Sequence, residues 1–439
     1  MRSLATTLSS AGWQVSGSDE SAVDRWPSPN GESPIRSYVG HRVEQVPVDA
    51  DLVIYSSAVP PTNCERRAAQ LAGIPELSYA EVLGRLQLGR TGIGVSGTHG
   101  KSTTSAMLTS ILVAAGVDPT AVFGAVPLGA TSGGRCGAGE HVIVEACEYR
   151  RNFLQLNCQA AIVLNLEWDH CETFGDLSSV EVAFSQFAAR LPADGVLVVN
   201  DDCSKALSAR GEISARMVTF GESAAADWRG EPLEVEQGRY RFRITHHGAR
   251  LTDIAIKVPG RHNLHNALAA AALAAELGMP AAAIRHGLES FGGLQRRCQT
   301  IGTFGGVTLV DDYAHHPSEL RATLEALRQQ YPNRRLWCVF QPHQAARTAA
   351  MLDEFAASLQ NADAVLVAEI FRARESSRSG VSSGDLAARV PRGPAVCEAI
   401  TEFNELIERL ADACSPGDIV VTCGAGDIGK VLHGLRERL

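Results

Sequence analysis

Gly92-Ile-Gly-Val-Ser-Gly-Thr-His-Gly-Lys-Ser-Thr-Thr104 is the stretch from which the fold can be read outward. Ile93 and Val95 read as a short buried strand, and Gly97 and Gly100 as a loop. Met107, Ile111 and Ala114 form one face of a helix that Gly116 stops. Strand, glycine-rich loop, Lys-Ser and helix is the layout of a phosphate cradle. Glycines let backbone N–H groups approach phosphate oxygens, and the helix N-terminus adds positive potential. Lys101 reaches the terminal phosphates and the Ser102 hydroxyl can ligate Mg²⁺. The common spacing G-x-x-x-x-G-K-[ST] would place a glycine at Val95, where this chain has the shorter Gly97-x-x-Gly100-Lys101-Ser102. An ordinary glycine-rich turn is the competing reading. Gly-Lys-Ser-Thr placed between a strand and a helix argues against it.

Upstream, residues 1–88 alternate short helical and strand patterns: a helix from Leu4 to Ser10, a strand at Gln14–Ser16, a buried strand at Asp51–Tyr55, and a helix from Glu65 to Ala72. This predicts a small α/β domain that opens on a helix with no first strand. Residues 89–293 carry the phosphate loop and then Val142–Glu145, Ala160–Asn165 and Gly195–Asn200, strands separated by helices, as in a parallel sheet. Residues 228–257 alternate like an antiparallel excursion, and an alanine-rich helix at Asn266–Leu277 closes the domain. Residues 294–439 restart the pattern with strands at 307–310, 336–340, 364–368 and 419–422. Helices are expected at 318–330, 348–360, 401–414 and 428–438, a doubly wound α/β domain. Gly424-Ala-Gly426 is read as a turn, since an isolated G-x-G is a weak dinucleotide signal.

The chain has 439 residues, 45% hydrophobic and 20% charged, with a net charge of −9, which argues against a general nucleic-acid or anionic-membrane binder. Its 11 cysteines include no C-x-x-C, so they point to a reducing cytoplasm and not to a zinc site or disulfide frame. No apolar run is long enough to span a membrane. The first ten residues are Ser/Thr-rich but hold one basic residue, Arg2, and run straight into the helix-stop pattern at Gly12, so they read as fold and not as a targeting segment.

In an open parallel sheet the C-terminal strand ends line the ligand crevice. Glu145 ends one strand, with Glu148 in the loop after it, and Asp169-His170 follow the next. Glu145, His170 and the Lys101–Ser102 loop should therefore converge, a donor set suited to Mg²⁺ beside nucleotide phosphates. Imidazole is a poorer Mg²⁺ ligand than oxygen, so a structural His170 is the alternative. Asn263 and Asn266, one turn apart, either present amides to an adenine edge or the metal shell, or include a helix N-cap at Asn263. Arg297 lies in an apparent linker. Asp311-Asp-Tyr-Ala-His-His-Pro317 and Phe340-Gln-Pro-His-Gln-Ala-Ala-Arg347 each end a strand of the third domain.

These segments together resemble the Mur ligases. The resemblance covers nearly the whole chain, through Val15–Asp19, Tyr55–Pro60, Gly97–Thr104, Glu145–Glu148, Asn165–His170, Gly260–Asn263 with Asn266, Asp311–Pro317 and Phe340–His343. The last two point, within the family, to the branch that adds the first amino acid of the stem peptide. The resemblance implies three domains: a Rossmann-like one for the UDP end (1–88), a central P-loop ATPase (89–293), and a doubly wound C-terminal one that closes the site (294–439). It implies ATP and Mg²⁺ as cofactors, and UDP-N-acetylmuramate and L-alanine as partners, in a cytoplasmic monomer or homodimer that binds neither nucleic acid nor membrane. By the same resemblance Gly97, Thr98, His99, Gly100, Lys101, Ser102, Thr103, Asn263, Asn266, Arg297 and Asp312 bind ATP, and Ser102, Glu145 and His170 hold the metal. Ser18, Asp19, Ser56, Ser57, His316, His343 and Arg347 meet substrate, and Lys101, His170, Arg297, Asp312 and His316 serve catalysis, with His316 a candidate base.

Three positions depart from the family pattern: Cys147 stands where many members have Asp, Gln344 and Ala345 replace an Arg and an aromatic, and the chain starts where a G-x-G-G-x-G-M loop would end. The last departure predicts a shortened N-terminus, a gap in the first sheet and weak binding of the UDP-sugar. The competing functions are a murein-peptide recycling ligase on the same scaffold and a nucleotide-binding remnant with little ligase activity.

Overall fold

The computed structural model describes residues 1–20, 35–373, 375, 380–391 and 393–439. The N-terminal part comprises α1 (Arg2–Ser10), β1 (Ser16–Asp19), β2 (Arg36–Val39), β3 (Val53–Tyr55), α2 (Cys64–Leu71), β4 (Glu76–Ser78) and α3 (Tyr79–Gln87). The central part begins with β5 (Thr91–Ser96), α4 (Lys101–Ala114), β6 (Thr120–Val122), β7 (Gly134–Arg135), β8 (His141–Glu145), β9 (Ala160–Val163), α5 (Leu177–Ala188) and β10 (Val196–Asn200). It continues through α6 (Asp201–Ser208), β11 (Arg216–Gly221), β12 (Trp228–Glu236), β13 (Arg239–His246), β14 (Ala249–Ala255), α7 (Arg261–Glu276) and α8 (Ala281–Ser290). The C-terminal part holds β15 (Gln299–Phe304), β16 (Val307–Asp312), α9 (Pro317–Gln330), β17 (Leu336–Phe340), α10 (Ala345–Ala350), α11 (Leu352–Leu359) and β18 (Ala364–Val367). It ends with α12 (Ser383–Arg389), β19 (Val396–Ala399), α13 (Phe403–Ala413), β20 (Ile419–Cys423) and α14 (Gly429–Arg438).

The central sheet runs β14-β13-β12-β11-β10-β9-β5-β8-β6-β7. β5 is therefore flanked by β9 and β8, both parallel to it. Its residues from Gly92 to Ser96 are buried because helices cover both faces. One face packs on α4, α7 and α8. The alanine run 269–272 of α7 is fully buried there, its small side chains letting the helix lie close to the sheet. The other face packs on α3 and α5, and Leu4 and Leu8 of α1 join that same core. Parallel pairing ends at β11–β12, and β12 to β14 form the expected antiparallel excursion.

The N-terminal strands pair in parallel, β1 with β2 and β3 with β4, and no strand among the described residues joins the two pairs. α1 docks on the β6–β7 edge of the central sheet, where the Ser3 hydroxyl donates to the Phe123 carbonyl at 2.6 Å. The strand expected at 14–16 begins at Ser16 instead. Val15 is spent on packing against the central core.

The C-terminal sheet runs β15-β16-β20-β17-β18-β19, parallel except for β15. The single helix expected over 348–360 is two, broken at Met351, whose backbone (φ −123°, ψ 31°) leaves the helical region while its side chain is buried in the core.

Candidate active site

The loop after β5 is shaped by two glycines with positive φ, Gly97 at 140° and Gly100 at 84°. A Cβ at Gly97 would lie 2.8 Å from the Leu164 Cβ, and one at Gly100 would collide with Asn266 Oδ1. Neither position admits a side chain. Asn165 clamps the loop from the end of β9, accepting from the His99 N–H at 2.8 Å and donating to the His99 carbonyl at 3.1 Å. Gly100 gives α4 no side-chain cap, so the helix presents backbone N–H groups free for an anion.

Lys101 Nζ bonds the carbonyls of Gly97 (2.5 Å) and Thr98 (2.9 Å) and the Glu148 carboxylate at 3.0 Å. Burial opposes its charge, but Glu148 together with Cys147 and Glu145 outweighs burial and raises the lysine pKa. Glu148, nearly fully buried, also faces His170 Nε2 at 3.6 Å. It thus links two predicted residues although no role was expected of it. Glu145 Oε1 is buried with no hydrogen-bond partner. Glu145 and Ser102 meet across Gly124, whose Cβ would lie 3.2 Å from Glu145 Oε2 and 3.8 Å from Ser102 Oγ. An orphaned carboxylate oxygen beside a hydroxyl at a phosphate loop fits Mg²⁺. His170 stands at the same crevice in a left-handed conformation (φ 53°) against the Tyr149 ring.

A cavity of about 220 Å³ opens beside the loop, between the central and C-terminal parts. Its walls include the predicted His99, Gly100, Thr103, Asn263, Asn266, Arg297 and Asp312. Asn263 is not the cap of α7, which is Gly260. It lies inside the helix, donating to the Pro259 carbonyl at 2.7 Å and accepting from Asn266 at 3.2 Å. Phe220, Phe291 and Leu294 supply apolar walls, and Asn200 and His262 polar ones, none of them expected from the sequence. Burial pushes Asp312 up to about 6, against the pull of Arg297.

The segment Glu167-Trp-Asp169 ties the two parts together. Arg347 grips Asp169 through Nη2 (2.6 Å) and Nε (2.9 Å), with both side chains buried. Although burial opposes its charge, the arginine holds the Asp169 carboxyl well below the usual range. Arg347, expected on substrate, is thus committed to a protein carboxylate. The Ser318 hydroxyl donates to Glu167, and the Trp168 carbonyl accepts from His316 Nε2 at 3.3 Å. His316 Nδ1 caps α9, accepting from the Ser318 N–H at 3.3 Å. With both nitrogens engaged, His316 has no free lone pair for the base role expected of it. Burial and then His99 lower its pKa.

Glu319, in the first turn of α9, lies 3.2 Å from His99 Nδ1 and 3.6 Å from Arg297. Burial opposes charge on both partners, yet Glu319 and Glu167 raise His99 to about 9. His343 lies 3.4 Å from Arg347 and over Phe371, and burial lowers its pKa to about 4.

The predicted sugar-nucleotide residues sit apart, at the ends of β1 and β3. The Ser18 hydroxyl bonds Glu65 (2.5 Å) and His41 (2.9 Å), and the Asp19 carbonyl accepts from Gly40 at 2.7 Å. The Ser56 hydroxyl accepts from the Ala58 N–H at 3.3 Å, and the Ser57 carbonyl receives Arg150 at 2.5 Å.

Three family models match the chain in succession: "Mur ligase family, catalytic domain" over residues 1–91, "Mur ligase middle domain" over 95–274, and "Mur ligase, glutamate ligase domain" over 296–426. Among similar proteins, the UDP-N-acetylmuramate–L-alanine ligase of Salinibacter ruber is 38% identical over 441 residues, covering 100% of this chain and 92% of that protein. The ligase of the same name from Lachnospira eligens is 38% identical, covering 98% and 94%. Among solved structures, the UDP-N-acetylmuramate-alanine ligase of Thermotoga maritima superposes with a TM-score of 0.83 at 26% identity, covering 100% of this chain and 96% of that one. A murein peptide ligase from Psychrobacter arcticus shares the fold, with a TM-score of 0.73 at 22% identity.

Proposed function

The chain belongs to the Mur ligase family, and from that membership we propose that it joins L-alanine to the lactyl carboxylate of UDP-N-acetylmuramate, driven by ATP, in peptidoglycan precursor synthesis. The observation that carries this reading is the phosphate loop with the orphaned Glu145 carboxylate beside its Ser102 on one side and the Asn263–Asn266 pair in the cavity on the other. Similarity over the full length to ligases of that name supports it. We assign residues 1–88 to the UDP end, 89–293 to ATP and 294–439 to closure over both. No described helix is long and apolar enough to cross a membrane. We place the reaction in the cytoplasm.

The lactyl carboxylate attacks the γ-phosphorus, the bond to the β-phosphate oxygen breaks, and ADP leaves an acyl phosphate. The neutral amine of L-alanine then attacks the acyl carbon, the carbon–oxygen bond breaks, and phosphate departs with the proton that the amine gives up. In this scheme Lys101 exchanges Glu148 and two carbonyls for phosphate oxygens, meeting charge where it develops. Gly97 and Gly100 admit the phosphates, Asn263 and Asn266 orient the base, and Arg297 with Asp312 close the cavity from the C-terminal side. Glu145, Ser102 and His170 would hold Mg²⁺, which supplies charge neutralisation at the transferring phosphoryl group. His316 can take a proton only after Nδ1 is released from the Ser318 N–H.

The test is phosphate release with ATP and UDP-N-acetylmuramate, comparing L-alanine with the L-alanyl-γ-D-glutamyl-diaminopimelate tripeptide. Turnover dependent on L-alanine is expected. Turnover with the tripeptide alone would replace this reading with the recycling ligase, and turnover with neither would leave a nucleotide-binding remnant.

A further inference from the structure

The geometry points to a second metal site, separate from the Glu145–Ser102 position: His99, Glu167 and His316 form a three-donor site for Zn²⁺ or a like transition metal, bridging the central and C-terminal domains. One donor atom from each residue lies within 4.8 Å of the other two. His99 Nε2 and His316 Nδ1 each stand 3.7 Å from Glu167 Oε2, and Nδ1 would give up the Ser318 N–H it accepts in order to ligate the metal. Zinc–nitrogen and zinc–oxygen bonds of about 2.0–2.2 Å put tetrahedral donors roughly 3.3 Å apart. Those two edges therefore need to contract by only a few tenths of an ångström.

The surroundings are those of a metal centre. A ligating histidine characteristically donates its far N–H to a carboxylate or a backbone carbonyl, which fixes the tautomer and aims the near nitrogen. Both histidines do so: His99 Nδ1 meets Glu319 at 3.2 Å, and His316 Nε2 meets the Trp168 carbonyl at 3.3 Å. His99 Nε2, aimed at Glu167, is buried and has no hydrogen-bond partner. Two imidazoles and one carboxylate suit Zn²⁺ or Co²⁺ and not Mg²⁺, which prefers oxygen. Three protein donors leave a fourth position. His99 and Glu167 line the nucleotide cavity, so that position opens toward it, for a water or a phosphate oxygen. His99 belongs to the phosphate loop and His316 to the cap of α9, so the metal would staple the C-terminal domain to the loop.

The test is a Co²⁺ titration of the full chain without nucleotide or amino acid, which makes it independent of the ligase reading. Tetrahedral Co²⁺ absorbs intensely in the visible, whereas Co²⁺ at an oxygen-rich octahedral position does not. One Co²⁺ per chain with the tetrahedral band, displaced by Zn²⁺ and unaffected by millimolar Mg²⁺, is expected. Glu167→Gln and His316→Ala should lose the band, and Glu319→Gln should weaken binding about 10–100-fold. Glu145→Gln should retain the band. Ser318→Ala keeps all three donors and removes the hydroxyl competing for Glu167, so it should bind Co²⁺ more tightly even if a donor variant folds poorly. Absence of the band from the parent chain, or its loss in Glu145→Gln with retention in His316→Ala, would overturn the assignment.

Discussion

Lys101 is held by three oxygens before any nucleotide arrives. Its position is therefore set by the fold and not by the ligand, and its removal leaves the buried Glu148 facing His170 alone, so the fold of the variant has to be measured beside its activity. Lys101→Ala is expected to lose ligation by at least a hundredfold, since one group aimed at developing charge contributes on the order of 3 kcal/mol. A phosphate-release assay beside a thermal melt checks this, and turnover within tenfold of the parent in a folded variant would remove the phosphate-cradle assignment. Glu145 should be the dominant metal ligand because its Oε1 has no other partner, whereas His170 already faces Glu148 and Glu172. Both Glu145→Gln and His170→Ala should raise the Mg²⁺ concentration for half-maximal rate, the former more. An unchanged titration for His170→Ala would make that residue structural. Lys101, Ser102 and Glu145 were legible as neighbours because each sits at a strand end or helix start, where a parallel sheet collects ligands, and His170 lies in the longer loop that follows β9. Glu148 stood in the same loop, but no local rule says that it will fold back between Lys101 and His170.

At the scale of elements, the turn from β5 into α4 is the most demanding. Gly100→Ala combines a left-handed φ of 84° with a clash against Asn266 Oδ1. The strain costs about 1–2 kcal/mol, and nucleotide affinity measured by calorimetry should fall at least tenfold. Adding Asn266→Ala should not restore it, because the backbone strain remains. Wild-type affinity in Gly100→Ala would show that the loop tolerates a side chain. The long helices and buried strands of the central and C-terminal parts follow from hydrophobic period alone. α3 carried a sequence signal in its capping box, Ser78 with Glu81, yet lay too close to a short strand to be separated by period. The break at Met351 left no such mark, since α10 and α11 together read as one amphipathic run. The cavity walls Phe220, Phe291 and Leu294 were equally invisible, because apolar residues from distant elements do not announce that they face a ligand.

For the whole molecule, what matters is how the C-terminal domain is held. Asp169 and Arg347 are 178 residues apart, a pairing that cannot be read from one chain, and it was the family resemblance that placed Arg347 on substrate. Leaving either charge buried alone costs about 3–5 kcal/mol. Arg347→Ala should therefore open the domains, seen as a larger radius of gyration by X-ray scattering without nucleotide. An unchanged radius would place the latch elsewhere. In the metal-free chain His99 adds a pH dependence. Its pKa is raised to about 9 by Glu319 and Glu167 against burial, so its contribution is fully present below about 6.5 and is lost as pH rises through about 9. The melting-temperature advantage of the parent over His99→Gln should shrink between pH 7 and 10, and an advantage constant over that range would remove the charge from His99. Because the cavity draws walls from both sides of this latch, releasing the latch also opens the cavity. Nucleotide must then wait for the door. In stopped-flow mixing the observed association rate should climb with nucleotide concentration and level off at the opening rate, whereas Arg347→Ala, with the door ajar, should keep climbing.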